Sequence, residues 1–440
     1  MKKLLSSSVA ALGLMAGGAL AAEKIVVVTS FPEEMTAVIE KAFETAHPDY
    51  DIEILNKSTS SGVKYIQEIA SANTADVFWA SAPDAFEVLK GDGKLAKIAP
   101  NATGIPDMIG SYPMNDADGH YYGFAASGYG IMWNTRYVEA NGLEPAKEWA
   151  NLEKPEYFGH VGMSAPSRSG TTHLTVETVL QGEGWEKGWA DWKWMGGNFA
   201  SVTERSFGVP DGVNTGSFGF GIVIDFFAFS SKASGFPVEF AYPTVTALVP
   251  ANVGVIANAP NEKGAVTFVE YLLSPEGQKV LFDPAIMRLP VNPEVYAEAP
   301  EGLPNPFEDK SIGAAVKFDV DKSGARYYVV SSLFDVMITY RLEDLKAAVK
   351  AVQEAEAKHA DGANAEAKAL IEEARALIEA MPITEEQSLD PAFNAAFTAV
   401  RKEAGDAIEA RQAEIEQQWD AMVTENYRKA KELAEKAAAL

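Results

Sequence analysis

Ser164-Ala165-Pro166-Ser167-Arg168-Ser169-Gly170-Thr171-Thr172-His173 is the stretch that decides how this chain is read. Val161-Gly162-Met163 precedes it, and Leu174, Val176, Val179 and Leu180 recur after it with helical spacing. The pattern is a strand, a hydroxyl-rich turn and the start of a helix, with Ser169 or Thr171 as its cap. The first amides of a helix lack acceptors within it, and the positive end of its dipole points the same way. This terminus, beside Arg168, therefore suits an anion. Taken alone, the ten residues read equally well as an ordinary capped helix next to a solvated arginine.

The same grammar occurs three times nearer the N-terminus. Residues 25–28 are an unbroken apolar run, as in a strand buried on both faces, and lead into Thr29-Ser30-Phe31-Pro32. Residues 51–55 lead into Ser58-Thr59-Ser60-Ser61-Gly62, and Val77-Phe78-Trp79 into Ala80-Ser81-Ala82-Pro83. A helical pattern follows each turn, so strands and helices alternate as in an α/β fold. In such folds ligands bind where strand carboxyl ends meet helix amino ends. Each serine taken singly is also explained as a helix cap; four similar turns in register point to one site.

Toward the C-terminus, residues 121–134 read as a long strand crossing between lobes, and 219–224 as a strand ending in Asp225-Phe226-Phe227. Residues 245–256, interrupted at Pro250-Ala251-Asn252, look like the return crossover. Trp185, Trp189, Trp192 and Trp194 share a helix and read either as packing or as a sugar-stacking face. From Leu333 the character changes. Ile338, Leu342, Leu345, Val349 and Val352 fit one amphipathic helix, and Leu370, Ile371, Ala374, Leu377 and Ile378 a second. Phe393, Phe397, Val400, Ala404, Ile408, Ile415, Trp419 and Met422 fit a third, long one. The expected architecture is two doubly wound α/β lobes with a hinge plus a C-terminal α-helical extension. Residues 23–128 and 252–325 would form one lobe, 129–251 the other and 326–440 the extension. The extension reads as packing against the lobes or as a docking face.

Lys2 and Lys3, an apolar run and Ala19-Leu20-Ala21 make residues 1–22 a secretory signal peptide, which places the mature chain in a periplasm. The chain has no Cys, hence neither a cysteine-linked lipid nor disulfides. Its formal charge is −25. Losing two lysines with the signal peptide makes the mature chain more acidic still, so nucleic acid and anionic membrane surfaces are poor partners. A small anionic solute remains open, because screening confines long-range repulsion to roughly 8 Å. No other apolar stretch is long enough to span a bilayer. A monomer is expected.

The chain resembles the periplasmic solute-binding proteins of ABC importers. The resemblance rests on the signal peptide, Ser81-Ala82-Pro83, Ser169-Gly170-Thr171-Thr172, the crossover Val249-Pro250-Ala251-Asn252-Val253-Gly254-Val255, and a run from Phe268 through Ser274-Pro275-Glu276-Gly277-Gln278. It covers roughly residues 24–320 and implies a type II periplasmic binding fold. Within that superfamily the chain is similar to the branch of ferric-iron and organophosphate binders (hexose-phosphate and phosphoglycerate types). Iron binders would place a Tyr-Tyr pair where this chain has Asp225-Phe226-Phe227, and phenyl rings cannot ligate a metal. Residues 333–342 also resemble the C-terminal part of phosphoglycerate-type binders. The implied role is capture of a small anionic solute for delivery to an ABC transporter permease. The alternatives are presentation of that solute to a membrane sensor kinase, and ferric-iron binding.

A micromolar ligand needs roughly 8 kcal/mol, whereas one helix terminus supplies ~0.3–2 and one hydrogen bond to a charged group ~1.5–3. Several turns must therefore converge. Ser30, Ser60, Ser61, Ser81, Ser169, Gly170, Thr171 and Thr172 are the expected donors to a phosphate, Arg168 or Arg205 the added charge, and Asp225 the reader of the organic part. No catalytic residue, metal site or cofactor is expected. The five histidines (His47, His120, His160, His173, His359) lack metal-ligand spacing, and neither a nucleophile elbow nor a phosphate loop is present. His173 reads as a helix-face or core residue.

Overall fold

Three strand–helix units open the chain: β1 (Glu23–Thr29) and α1 (Glu33–Ala46), β2 (Tyr50–Asn56) and α2 (Thr59–Glu68), then β3 (Val77–Ala80) and α3 (Pro83–Gly91). β1 lies parallel between β2 and β3, with Ile25, Val27 and Val28 all buried, as an unbroken apolar run demands. These details come from a computed structural model, which describes residues 22–69, 74–109, 112–309, 312, 315–398 and 408–440. Apart from Ala22, the signal-peptide reading lies outside them.

A short hairpin (β4, Met108–Ile109; β5, Tyr112–Pro113) precedes β6 (Tyr122–Asn134). Next come α4 (Thr135–Ala140), β7 (Val161–Ser164), α5 (Gly170–Glu183), α6 (Trp185–Gly197), β8 (Phe199–Thr203), α7 (Gly208–Thr215), β9 (Phe220–Ile224), α8 (Asp225–Ala233) and β10 (Val238–Ala241). The chain returns through β11 (Leu248–Val255), followed by α9 (Glu262–Leu273), α10 (Pro275–Val280) and β12 (Leu289–Pro290).

The strand order is β2-β1-β3-β11-β6-β9-β7-β8, with β10 and β12 also paired to β6. β6 joins the two halves: it pairs with β11 and β12 before Tyr129 and with β9 and β10 from there on. The expected break at Pro250-Ala251-Asn252 is only a register shift within β11. Pro250 fits because β11 meets β3 only from Asn252 onward, so the missing N–H faces no ladder there.

α11 (Val320–Ala325) leads into the extension, which comprises α12 (Tyr327–Phe334), α13 (Leu342–Lys358), α14 (Ala365–Glu379), α15 (Glu385–Ser388), α16 (Pro391–Asn394) and α17 (Ala410–Ala439). Two expectations are corrected. Ile338 and Leu342 do not share one helix, because a π-helical turn at Asp335–Thr339 ends α12 and the chain restarts at Leu342. The third helix does not run from Phe393: α16 stops at Asn394, letting the Phe397 ring stack on Trp419 at 5.4 Å between ring centroids. Val400 and Ala404 lie outside the described residues.

The tryptophans of α6 are packing. Trp185, Trp189, Trp192 and Trp194 are all buried, in one core with Leu345, Val349 and Val352 of α13 and Trp419 of α17, so no stacking face is left for a sugar. Fully buried Lys193 donates to the Glu379 and Ala380 carbonyls, 2.9 Å each, and so clamps the end of α14. Burial drops this ammonium to about 7.

Candidate functional site

The strand ends and helix starts of the two halves face each other across a narrow chamber, as the sequence grammar requires. Its walls include Ser30 and Phe31 after β1, Thr59 of α2, Arg168, Ser169 and Thr171 at the start of α5, Arg205 before α7, Phe226 and Phe227 of α8, and Arg288 before β12. In this conformation its volume is about 10 Å³, room for about one water. The halves are closed upon one another. Ser60 Oγ donates to the Ser167 carbonyl at 2.6 Å, and the Gly170 amide donates to Thr59 Oγ1 at 3.1 Å. Arg205 reaches across to Asn56 Oδ1 at 3.1 Å and to the Ser30 and Lys57 carbonyls.

Of the residues expected from sequence, Ser30, Arg168, Ser169, Thr171 and Arg205 line the chamber. Ser169 is the cap of α5, accepting the Thr172 amide at 3.3 Å, and Thr172 is buried behind it. Ser60 and Gly170 hold the closed contact. Ser61 is tied to Ser58, the cap of α2, on the flank of that helix's first turn. Ser30 and Ser81 cap nothing, since the positions before α1 and α3 are Pro32 and Ala82 with no side-chain bond.

Asp225 is placed differently from the expectation. It is buried outside the chamber lining, with Oδ2 accepting from the Gly128 amide (2.7 Å) and the Tyr242 hydroxyl (2.8 Å) and Oδ1 from the Phe226 amide (2.7 Å). Burial lifts its carboxyl to about 6 against the pull of these donors. Its bonds pin α8 to the middle of β6 and leave no strong acceptor facing the cleft.

Arg288 is the residue that sequence reasoning missed. It is fully buried, with Nη2 donating to Ser81 Oγ at 2.7 Å, Nη1 to Ser127 Oγ at 3.4 Å, and Nε without a partner. Among the described residues no carboxylate lies within ion-pair distance. Three rings surround the guanidinium, with the Phe226 centroid at 4.0 Å, Phe31 at 4.6 Å and Phe124 at 5.9 Å. Burial pushes it down to about 9, partly offset by Asp225, so it stays cationic at neutral pH. The backbone is left-handed at Met287 (φ 47°), a strain that persists only where surroundings over-determine it. The available signal was a lone charge inside the apolar run Ile286-Met287-Arg288-Leu289-Pro290-Val291.

Arg168 is less free to act. It donates to the Thr203 carbonyl at 3.3 Å and lies 3.7 Å from the Glu204 carboxylate. Behind the chamber, α5 is anchored by buried polar pairs. His173 Nε2 lies 3.3 Å from Asp84 Oδ2, to which Ser323 Oγ also donates at 2.9 Å. Burial drives His173 down to about 4, leaving its ring neutral at neutral pH, and lifts Asp84 to about 7, so this is not a full ion pair. One turn on, Glu177 takes two bonds of 2.8 Å from buried Arg326. His173 is thus a core residue linking α3, α5 and the extension. The chamber itself collects three guanidiniums, helix-start amides and aromatic walls, the kinds of group that hold an anion.

Comparison with known proteins agrees with this geometry. Residues 39–310 match the family of bacterial extracellular solute-binding proteins. The chain is 31% identical over 378 residues to the phosphoglycerate transport regulatory protein PgtC of Salmonella typhimurium, covering 85% of this chain and 89% of that one. A match of that length exceeds residues 1–325 and so enters the C-terminal helices. The periplasmic binding protein AfuA from Actinobacillus pleuropneumoniae, solved with fructose-6-phosphate, superposes with a TM-score of 0.65 at 21% identity, covering 72% of this chain and 99% of that one. Apo ferric ion-binding protein A from Pasteurella haemolytica gives 0.57 at 16% identity, covering 71% and 97%. These structures share the type II periplasmic binding fold. With more than half of its residues matched, the chain belongs to the bacterial extracellular solute-binding proteins, a family of binders and not of enzymes.

Proposed function

We propose that the protein captures a small organophosphate, such as a sugar phosphate or phosphoglycerate, between its lobes in the periplasm and delivers it to an ABC transporter. The observation that carries this reading is Arg288, a buried guanidinium with neutral partners and a free Nε at the chamber wall. A buried charge without a counter-ion is costly, and a phosphate would supply one. Phe226 and Phe227 stand where iron ligation would need phenolates, which favours phosphate over ferric iron. Because the closed chamber holds about one water, the lobes part to admit the ligand and close again around it at a wider spacing, held there by contacts from both sides. In this reading residues 23–128 and 252–325 move against 129–251.

A second reading, presentation of the loaded protein to a membrane sensor, is favoured by the bonds from Gln67 to Tyr328 and from Arg326 to Glu177, which tie the extension to both halves. A thermal-shift screen of the mature protein against sugar phosphates, phosphoglycerate, inorganic anions and ferric iron tests the main reading. Stabilisation by phosphate esters is expected; stabilisation by ferric iron alone would refute it. Deleting the gene separates the two roles, since delivery predicts lost uptake and sensing predicts a lost transcriptional response with uptake intact.

A further inference from the structure

Ser167 sits at the corner of the turn that presents Arg168, Ser169 and the first amides of α5, yet it is buried and takes no part in the chamber lining. The Arg168 amide closes the turn on the Ala165 carbonyl at 3.0 Å, and Ser60 of the other half pulls on the Ser167 carbonyl. The Ser167 side chain serves the extension instead. With the Thr339 hydroxyl it lies against the carboxyl of Asp335, which opens the π-helical turn. Asp335 is 3% exposed. Burial raises its carboxyl to about 7 and Glu416 of α17 pushes the same way, while Ser167, Thr339 and Arg168 pull it down.

Despite that proximity, Asp335 Oδ1, Ser167 Oγ and Thr339 Oγ1 make no hydrogen bond of ordinary geometry in this conformation. Buried polar atoms are nearly always paired, so three that stand together half satisfied need a cause. The π turn that places two of them is itself held: the Tyr340 amide reaches back to the Asp335 carbonyl at 2.8 Å, and Tyr427 of α17 donates to the Met337 carbonyl at 2.8 Å. Such turns frequently mark functional sites. A residue alters affinity only if it serves the loaded state better than the empty one. A ligand that holds the lobes at a wider spacing releases the Ser167 carbonyl from Ser60, and the turn can then settle on Asp335.

We propose that Asp335 is a positioning residue of the binding site: once a ligand spaces the lobes, its carboxyl accepts from the Ser167 hydroxyl and so sets the turn that offers Arg168, Ser169 and the α5 amides to an anion. This rests on the organophosphate reading above and makes the extension part of the site.

Titration calorimetry of the mature chain with glycerol 3-phosphate, 3-phosphoglycerate and inorganic phosphate, beside urea unfolding without ligand, tests it. Asp335→Leu and Ser167→Ala should each weaken binding about tenfold, the least that a hydrogen bond to a charged group is worth. The two together should bind no more weakly than either alone, as expected of residues acting through one contact. Asp335→Asn keeps an acceptor and should stay within about threefold of the parent. Ligand-free Asp335→Leu should be as stable as the parent or more so, because it removes a buried carboxyl lacking a full partner, so affinity falls without stability. Ser167→Ala leaves the extension untouched and tests the same link should Asp335→Leu not fold. Parent-like binding by Ser167→Ala or Asp335→Leu, losses that multiply in the double variant, or Asp335→Asn binding as poorly as Asp335→Leu would overturn the inference while leaving the organophosphate reading intact. A parent that binds none of the phosphate compounds would overturn both.

Discussion

Replacing Arg288 by Met should make the ligand-free protein more stable and the ligand-exposed protein less so. The guanidinium falls well below its usual range, to about 9, on burial, which amounts to about 5 kcal/mol against the charged form. This penalty is present in full at pH 7, where both folded and unfolded states carry the proton. It fades as pH rises through about 9, because the unfolded chain then holds the proton longer than the folded one. Offsetting it are the charged bond to Ser81, worth about 1.5–3 kcal/mol, and ring contacts worth about 0.5–2. Methionine has a similar reach and keeps contact with the rings of Phe31, Phe124 and Phe226. The net expectation is a gain of about 0–3 kcal/mol without ligand, in line with other exchanges of buried ionic groups for apolar ones. A phosphate ligand at a thousand times its Kd stabilises the parent by about 4.1 kcal/mol, and should leave the variant unmoved. Urea unfolding of both proteins, with and without the ligand, should therefore show their order of stability reversing. A ligand-free variant less stable than the parent, or one stabilised equally by ligand, would refute the reasoning.

Further expectations concern closure and the buried network. Gly170→Ala places a Cβ 2.5 Å from that of Ala82 and 2.9 Å from the Thr59 side chain, so the lobes cannot fully close; small-angle scattering should then find no ligand-induced compaction, and normal compaction would show that the contact is dispensable. Arg326→Gln strips buried Glu177 of its two-bond cation and should cost about 3–5 kcal/mol in urea unfolding, with a loss under about 1 counting against the pair. Asp84, lifted to about 7, contributes stability that is complete below its unfolded value of 3.8 and is lost as pH rises through 7, whereas His173, at about 4, contributes above 6.5 and loses it as pH falls. Asp84→Asn removes the first contribution, so going from pH 5 to pH 8 the variant should gain about 2–3 kcal/mol relative to the parent, measured by denaturant melts; parallel profiles would exclude a protonated Asp84.

What could be read directly from the sequence is whatever neighbours along the chain control. Apolar runs ending in hydroxyl turns before helical spacing located β1, β3, β7 and the starts of α1, α3 and α5, because strand burial and helix capping act over a few residues. The same logic marked Ser169 as a cap and put Arg168 and Arg205 at the cleft. The tertiary structure alone decided the rest. Arg288 lies 207 residues from Ser81, its closest polar partner, and Asp225 turns inward to Gly128, 97 residues away. The tryptophans of α6 became core because the extension folds back over them, and Ile338 and Leu342 part because of a turn local spacing did not reveal. A side chain's direction follows from which distant surface reaches it first, and periodicity along the chain carries no record of that meeting.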